Sequence, residues 1–152
     1  MPFPCSAVTW LTDANTGKQY GVLNTKVFSY EDATKICQDA GGKLPEPRNS
    51  EENDFLDNFG TTTKVFFLGL TDTAAEGQWV WTSDDSTVTW KPWKSGEPDG
   101  GTSENCCAMY KNAQFVADKK SWKSEGCDQP ATTKVPVVCE LTRKYTIHCC
   151  FF

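Results

Sequence analysis

The sequence predicts an α+β domain, with two helices before Gly60 and a strand- and loop-rich remainder. Three observations carry this reading. Apolar residues recur at helical spacing at Ala33, Ile36, Cys37 and Ala40, and again at Phe55, Leu56 and Phe59. After Gly60 the helical period disappears and short apolar or alternating runs replace it. Eight cysteines, an even number spread over 152 residues with no Cys-x-x-Cys pair, read as disulfide staples. The length suits a single domain, residues 1–152, with a real core.

Each element has a local reason. Ser29 is a good N-cap for the first helix, Asp32 follows three residues later, and Gly41-Gly42 supplies the stop. Cys37 therefore points inward, toward another core element. The second helix begins at Asn49 or Ser50. Glu51, Glu52 and Asp54 lie in its first turn, where the helix dipole favours them, and Phe55, Leu56 and Phe59 form its buried side. Pro45 and Pro47 punctuate the connection between the helices. Residues 64–70 read as a buried strand, and residues 78–82 as a short alternating one with Trp79 and Trp81 on one face. Residues 83–103 are rich in Gly, Pro, Asp and Ser and carry Trp90 and Trp93. A loop of that length in a compact domain is of the kind that carries function. Strands resume at residues 106–110, 114–117 and 135–141, and there is no internal repeat or low-complexity tract.

Composition excludes several functions. With 20 acidic against 15 basic residues and a net charge of −5, the chain lacks the basic face that nucleic acid demands. The longest aliphatic and aromatic run, Val65-Phe66-Phe67-Leu68, is too short for a membrane span. His148 is the lone histidine, so zinc-finger spacings are absent, and no Ser or Cys has a nucleophile's context. An enzyme is not expected. Glu97 and Glu104 could be imagined as a glycosidase pair, but a shared cation is the simpler account of these acids. The cysteines point to an oxidising compartment and a secreted protein; the alternative is a set of reduced buried thiols. No Asn-x-Ser/Thr sequon occurs. Met1-Pro2-Phe3-Pro4-Cys5 has neither a basic start nor a following apolar stretch, so a mature secreted form is expected.

Several segments stand in a telling order. These are Phe67-Leu68-Gly69-Leu70, Glu76-Gly77-Gln78-Trp79-Val80-Trp81 and Trp90-Lys91-Pro92-Trp93-Lys94-Ser95-Gly96-Glu97-Pro98-Asp99. Glu104-Asn105-Cys106, Trp122 five residues before Cys127, and Val138-Cys139-Glu140-Leu141 complete the series. From about Trp10 to Leu141 this order and spacing resembles the C-type lectin-like domain family. The resemblance implies the C-type lectin-like fold, with antiparallel sheets, a long ligand-binding loop, and disulfides Cys37–Cys139 and Cys106–Cys127. Cys5 sits where long-form members have a hairpin cysteine, yet the usual partner position near Gln19-Tyr20 has none. Because the first and last strands of this fold lie side by side, Cys5 is expected to pair with Cys149 or Cys150. Cys107 is then expected to pair with the remaining tail cysteine or between chains.

In sugar-binding members, the acids of the long loop and the next strand hold a calcium ion that sugar hydroxyls also bind. Carried over by position, the resemblance implies Glu97, Asp99, Glu104 and Asn105 as ligand-binding residues, with Ca2+ as cofactor. The family's Asn-Asp pair after the Trp is missing; Lys123-Ser124 follows Trp122 instead. Lysine offers no acceptor, and its charge repels calcium, so an impaired primary site is expected. Two routes stay open: calcium held by fewer ligands with help from Glu125 or Asp118, or the Lys123 ammonium in its place. The resemblance also implies an auxiliary metal site of Asp72, Glu76, Glu104 and Asn105, against which stands a plain solvated acidic loop. Glu97-Pro98-Asp99 matches neither the mannose-type Glu-Pro-Asn nor the galactose-type Gln-Pro-Asp. Without an amide donor there, sugar hydroxyls must do the donating. Trp90 and Trp93 are expected as loop anchors rather than a sugar platform. The implied function is a secreted carbohydrate-binding lectin with a glycan or glycoprotein partner, as a disulfide-linked or non-covalent oligomer or a single chain. The alternatives are a calcium-independent lectin-like domain binding a protein ligand and, on Thr and Cys content alone, an ice-binding protein.

Overall fold

The computed structural model describes residues 8–59, 64–111, 122–128 and 135–142. Strands β1 (Trp10–Thr12) and β2 (Gln19–Val27) form an antiparallel hairpin before either helix. The expected order of helices first and strands after is corrected here. Gly21 and Asn24 interrupt the alternation of β2, and its register shifts between Leu23 and Lys26, so the period-2 signal is weak. Gly21 is required: a Cβ there would stand 2.7 Å from Val8 Cγ1 and 3.0 Å from Trp10 Cε3.

Helix α1 (Tyr30–Asp39) starts where its cap dictates, with the Ser29 side chain accepting the Asp32 N–H at 3.1 Å. Ala33 and Cys37 are buried, and Gly41 takes φ +84 just past the helix end. The two-residue strand β3 (Gly42–Lys43) follows. Helix α2 (Ser50–Asn58) is capped by Asn49, whose side chain accepts the Glu52 N–H at 3.0 Å. Leu56 and Phe59 are buried as expected and Phe55 packs against the same core. Glu52 and Asn53 are buried too, which an apolar period cannot announce.

The remaining strands are β4 (Val65–Thr71), β5 (Val80–Trp81), β6 (Cys106–Tyr110), β7 (Trp122–Glu125) and β8 (Val135–Leu141). They complete two four-stranded antiparallel sheets, ordered β1-β2-β8-β3 and β5-β4-β6-β7. The expected strand at 78–82 shrinks to two residues, because Trp79 instead offers its carbonyl to the Val88 N–H at 2.9 Å. Residues 114–117 lie outside the described part. Strand β4 is buried on both faces: Phe66, Leu68 and Leu70 join one core cluster with Trp79, Trp81 and Trp122. Phe67 joins the other, beside Ala33, Cys37 and Val137. That two-sided burial is why its sequence is a continuous apolar run.

Cys37–Cys139 ties α1 to β8, and Cys106–Cys127 ties the start of β6 to the segment after β7. The expectation for Cys107 is overturned. Alternation along β6 turns Cys107 away from Cys106 and into the core, where it is fully buried with a free thiol. The thiol is unbridged, and burial pushes its pKa well up. Cys5, Cys149, Cys150 and His148 lie outside the described residues. Among the described residues, no helix is long and apolar enough to cross a membrane.

Candidate functional site

The long loop after β5 is held down by its tryptophans. Trp90 and Trp93 are partly buried and meet the Trp122 ring edge-on at 5.8 Å each, while Trp93 meets Trp79 at 4.9 Å. Backbone bonds fasten the same place: Trp122 N–H to Pro92 O at 3.1 Å, and Lys94 N–H to Trp122 O at 2.9 Å. Trp90 and Trp93 are loop anchors, as the sequence suggested.

From this anchored base the chain rises through Gly96 (φ +85) and a cis Glu97–Pro98 peptide to Asp99, then a 3-10 turn at Gly101–Ser103. Glu97, Asp99 and Glu104 each bring one carboxylate oxygen within 4.8 Å of the others, a set that could hold a metal ion. Gly100 makes room for this: a Cβ there would stand 2.2 Å from Glu104 Cγ. Asp99 is exposed, whereas the Glu97 side chain is only 6% accessible.

Ser124 on β7, noted in the sequence only as part of the departure from the family's Asn-Asp pair, is the hub of the site. Its backbone N–H and hydroxyl lie 3.1 and 3.0 Å from Glu97 Oε2. The hydroxyl is also 2.9 Å from Glu104 Oε2, and it accepts the Asp99 N–H at 3.3 Å. One hydroxyl carries one proton, so Glu97 and Glu104 share it in alternation. Lys123 brings its ammonium to 3.4 Å from Glu97 Oε1 and lies over the Tyr110 ring, 5.3 Å from its centre. Glu125 stands apart from the cluster because it accepts the Tyr110 hydroxyl. Burial, then that bond, pushes the Tyr110 pKa up, so the phenol stays protonated as the donor. Asp118 lies outside the described residues.

The second expected set is arranged differently. Asp72 is 3% exposed; its Oδ2 accepts the Gly77 N–H at 2.8 Å, while Oδ1 has no partner. Asn105 lies beside it, with its carbonyl accepting the Asp72 N–H at 3.2 Å, and Asn105 Oδ1 is also buried without a partner. Glu76 is exposed on the turn. Neither Asp72 nor Glu76 joins the carboxylate cluster of Glu97, Asp99 and Glu104. The sequence placed Ser124 at the position of the family's Asn-Asp pair without giving it a role; that role follows from the pairing of β7 with β6 beside the loop.

Comparison with known proteins agrees with this geometry. The family model described as the lectin C-type domain matches residues 26–141. The pulmonary surfactant-associated protein D of Bos taurus is 34% identical over 115 residues, covering 74% of this chain and 28% of that protein. The chain spans between 26% and 53% of the length of four curated relatives it matches. Among solved structures, the mouse scavenger receptor C-type lectin carbohydrate-recognition domain superposes with a TM-score of 0.69 at 27% identity, covering 89% of this chain and 96% of that one. The cow carbohydrate-recognition domain of CD23, solved in the presence of GlcNAc2Man3 oligosaccharide, gives 0.69 at 26% identity, covering 90% and 94%.

Proposed function

We propose, from the premise that the chain belongs to the C-type lectin domain family, that it is a secreted carbohydrate-binding module whose long loop takes sugar hydroxyls at Glu97-Pro98-Asp99. The family is non-enzymatic, so binding is the activity to explain. One observation carries the reading: Glu97, Asp99 and Glu104 converge within 4.8 Å on a loop pinned by three tryptophans. Carboxylates accept and cannot donate, so a ligand must present neighbouring hydroxyl donors, as sugar rings do. A related domain solved with an oligosaccharide present supports the same class of ligand. Secretion is supported by the two disulfides, Cys37–Cys139 and Cys106–Cys127, which persist in oxidising surroundings.

A glycan array checks this. Asp99→Ala is expected to weaken glycan binding about tenfold, equivalent to about 1.4 kcal/mol, without changing the melting temperature, because Asp99 is exposed. Capture of a protein with no glycan requirement would favour the protein-ligand reading instead.

Calcium, which the family implies, has two candidate places, and the orphaned oxygens favour the second. Asp72 Oδ1 and Asn105 Oδ1 are buried acceptors awaiting a donor or cation, and calcium prefers such hard oxygens. Asp72 and Asn105, joined by the Asp72 N–H to the Asn105 carbonyl, would hold it. The ion would satisfy two orphaned oxygens and stiffen the base of the loop. Calcium is therefore expected to raise the melting temperature, and Asp72→Asn to abolish that rise; an equal rise in both proteins would remove this assignment. At the long loop the acids stand close enough to share an ion, but other partners compete for them. Three carboxylates are present, but β7 contributes an ammonium and a hydroxyl already committed to the acids.

A further inference from the structure

We infer that the cation of the long-loop site is part of the chain: the Lys123 ammonium, paired with Glu97, supplies the positive charge beside the Glu97, Asp99 and Glu104 cluster in place of a divalent ion. The inference deepens the proposed sugar site and rests on it only for its meaning to a ligand, not for the identity of the cation. Lys123 Nζ stands 3.4 Å from Glu97 Oε1. The Glu97 side chain is 6% accessible, too buried for water alone to solvate its charge. The Tyr110 ring lies under the ammonium at 5.3 Å, so the position is favoured from below as well as from the acid.

Ser124 completes the replacement. A six- to eight-coordinate calcium needs lone pairs pointing inward from every side. Here Glu97 Oε2 already receives the Ser124 N–H and hydroxyl, and Glu104 Oε2 faces the same hydroxyl. Strand β7 thus offers protons where a calcium cage requires oxygens. A tethered cation is also always present, and an arriving calcium would have to displace it against like-charge repulsion. The consequence for a ligand is chemical. A sugar at this rim meets carboxylates that accept and an ammonium that donates, without any oxygen-to-metal bond.

Calorimetric calcium titration of the full chain tests the cation directly. The wild type and Glu97→Gln are expected to give the same isotherm, any calcium bound being independent of Glu97. The double substitution Lys123→Asn/Ser124→Asp is expected to add one calcium with at least tenfold higher affinity than the wild-type loop shows, and adding Glu97→Gln should remove it. A wild-type calcium site weakened tenfold by Glu97→Gln overturns the inference. So does a double variant with native circular dichroism that gains no calcium. If the double variant does not fold, the wild type against Glu97→Gln decides alone. Failure of the glycan array would count against the sugar reading and leave this calcium count untouched.

Discussion

Trp122→Ala is expected to lower the unfolding free energy by about 3–5 kcal/mol, the range for deleting a large buried aromatic. The indole is fully buried and meets the rings of Trp81, Trp90 and Trp93 edge-on at 5.8 to 6.0 Å. Such pairs add about 0.5–1.5 kcal/mol each beyond area burial. Its Nε1–H also donates to Asn53 Oδ1 on α2 at 2.8 Å, a bond that links the second sheet to the helix layer. The melting temperature should fall by roughly 10 °C for a chain of this size. Trp122→Phe separates the contributions: it keeps most of the ring but removes the donor, and should cost about 1–3 kcal/mol. Because Trp90 and Trp93 lean on Trp122, the alanine variant should also lose ligand at temperatures where it remains folded. A fall below about 1 kcal/mol would mean that the loop is anchored elsewhere.

Why some of this was legible and some was not follows from the range of each interaction. Caps are local. Ser29 and Asn49 hold N–H groups three residues away, so both helix starts are visible in the sequence. Strands with a fully apolar stretch, such as β4 and β8, are equally visible. The hairpin of β1 and β2 is not, because its outer strand is three residues long and the inner one breaks its alternation at Gly21 and Asn24. Buried charge was hidden most completely. Glu46 is wholly buried, yet its carboxylate receives Lys43 at 2.9 Å, Arg48 at 3.0 Å and the Ser83 N–H at 3.0 Å. Glu52 reads as a first-turn acid favoured by the helix dipole, but it is also buried and meets Lys18 at 2.8 Å. Sequence places a charge outside by default, and only the partners arriving from distant segments reverse that.

The site divides in the same way. Glu97, Asp99 and Glu104 stand in a recognisable motif, and the structure does bring them together. Lys123 was conspicuous as a departure from that motif. Ser124 was named in the same departure, but its role was not legible until β7 placed its hydroxyl between two acids. Asp72 and Asn105 were named from the motif, but their two unpartnered oxygens are a fact of packing.

The two disulfides should separate stability from binding. Cys37–Cys139 closes a sequence separation of 102 residues, and Cys106–Cys127 one of 21. Constraining the unfolded chain scales with the logarithm of that length. Loss of the first by Cys37→Ala/Cys139→Ala should therefore cost about 4–5 kcal/mol, and loss of the second by Cys106→Ala/Cys127→Ala about 3 kcal/mol. Their places in the fold reverse the order for ligand affinity. Cys37 and Cys139 join α1 to β8 within the core cluster beside Phe67, away from the loop acids. Cys106 is the residue at which β6 pairs with Glu125, and Cys127 follows two residues later, so this bridge clamps the strand that presents Lys123 and Ser124. Denaturant unfolding under non-reducing conditions should thus find the first variant less stable. Glycan binding at low temperature, where both remain folded, should find the second variant weaker. Should both variants lose affinity in proportion to stability, the bridge at the end of β7 has no part in holding the site.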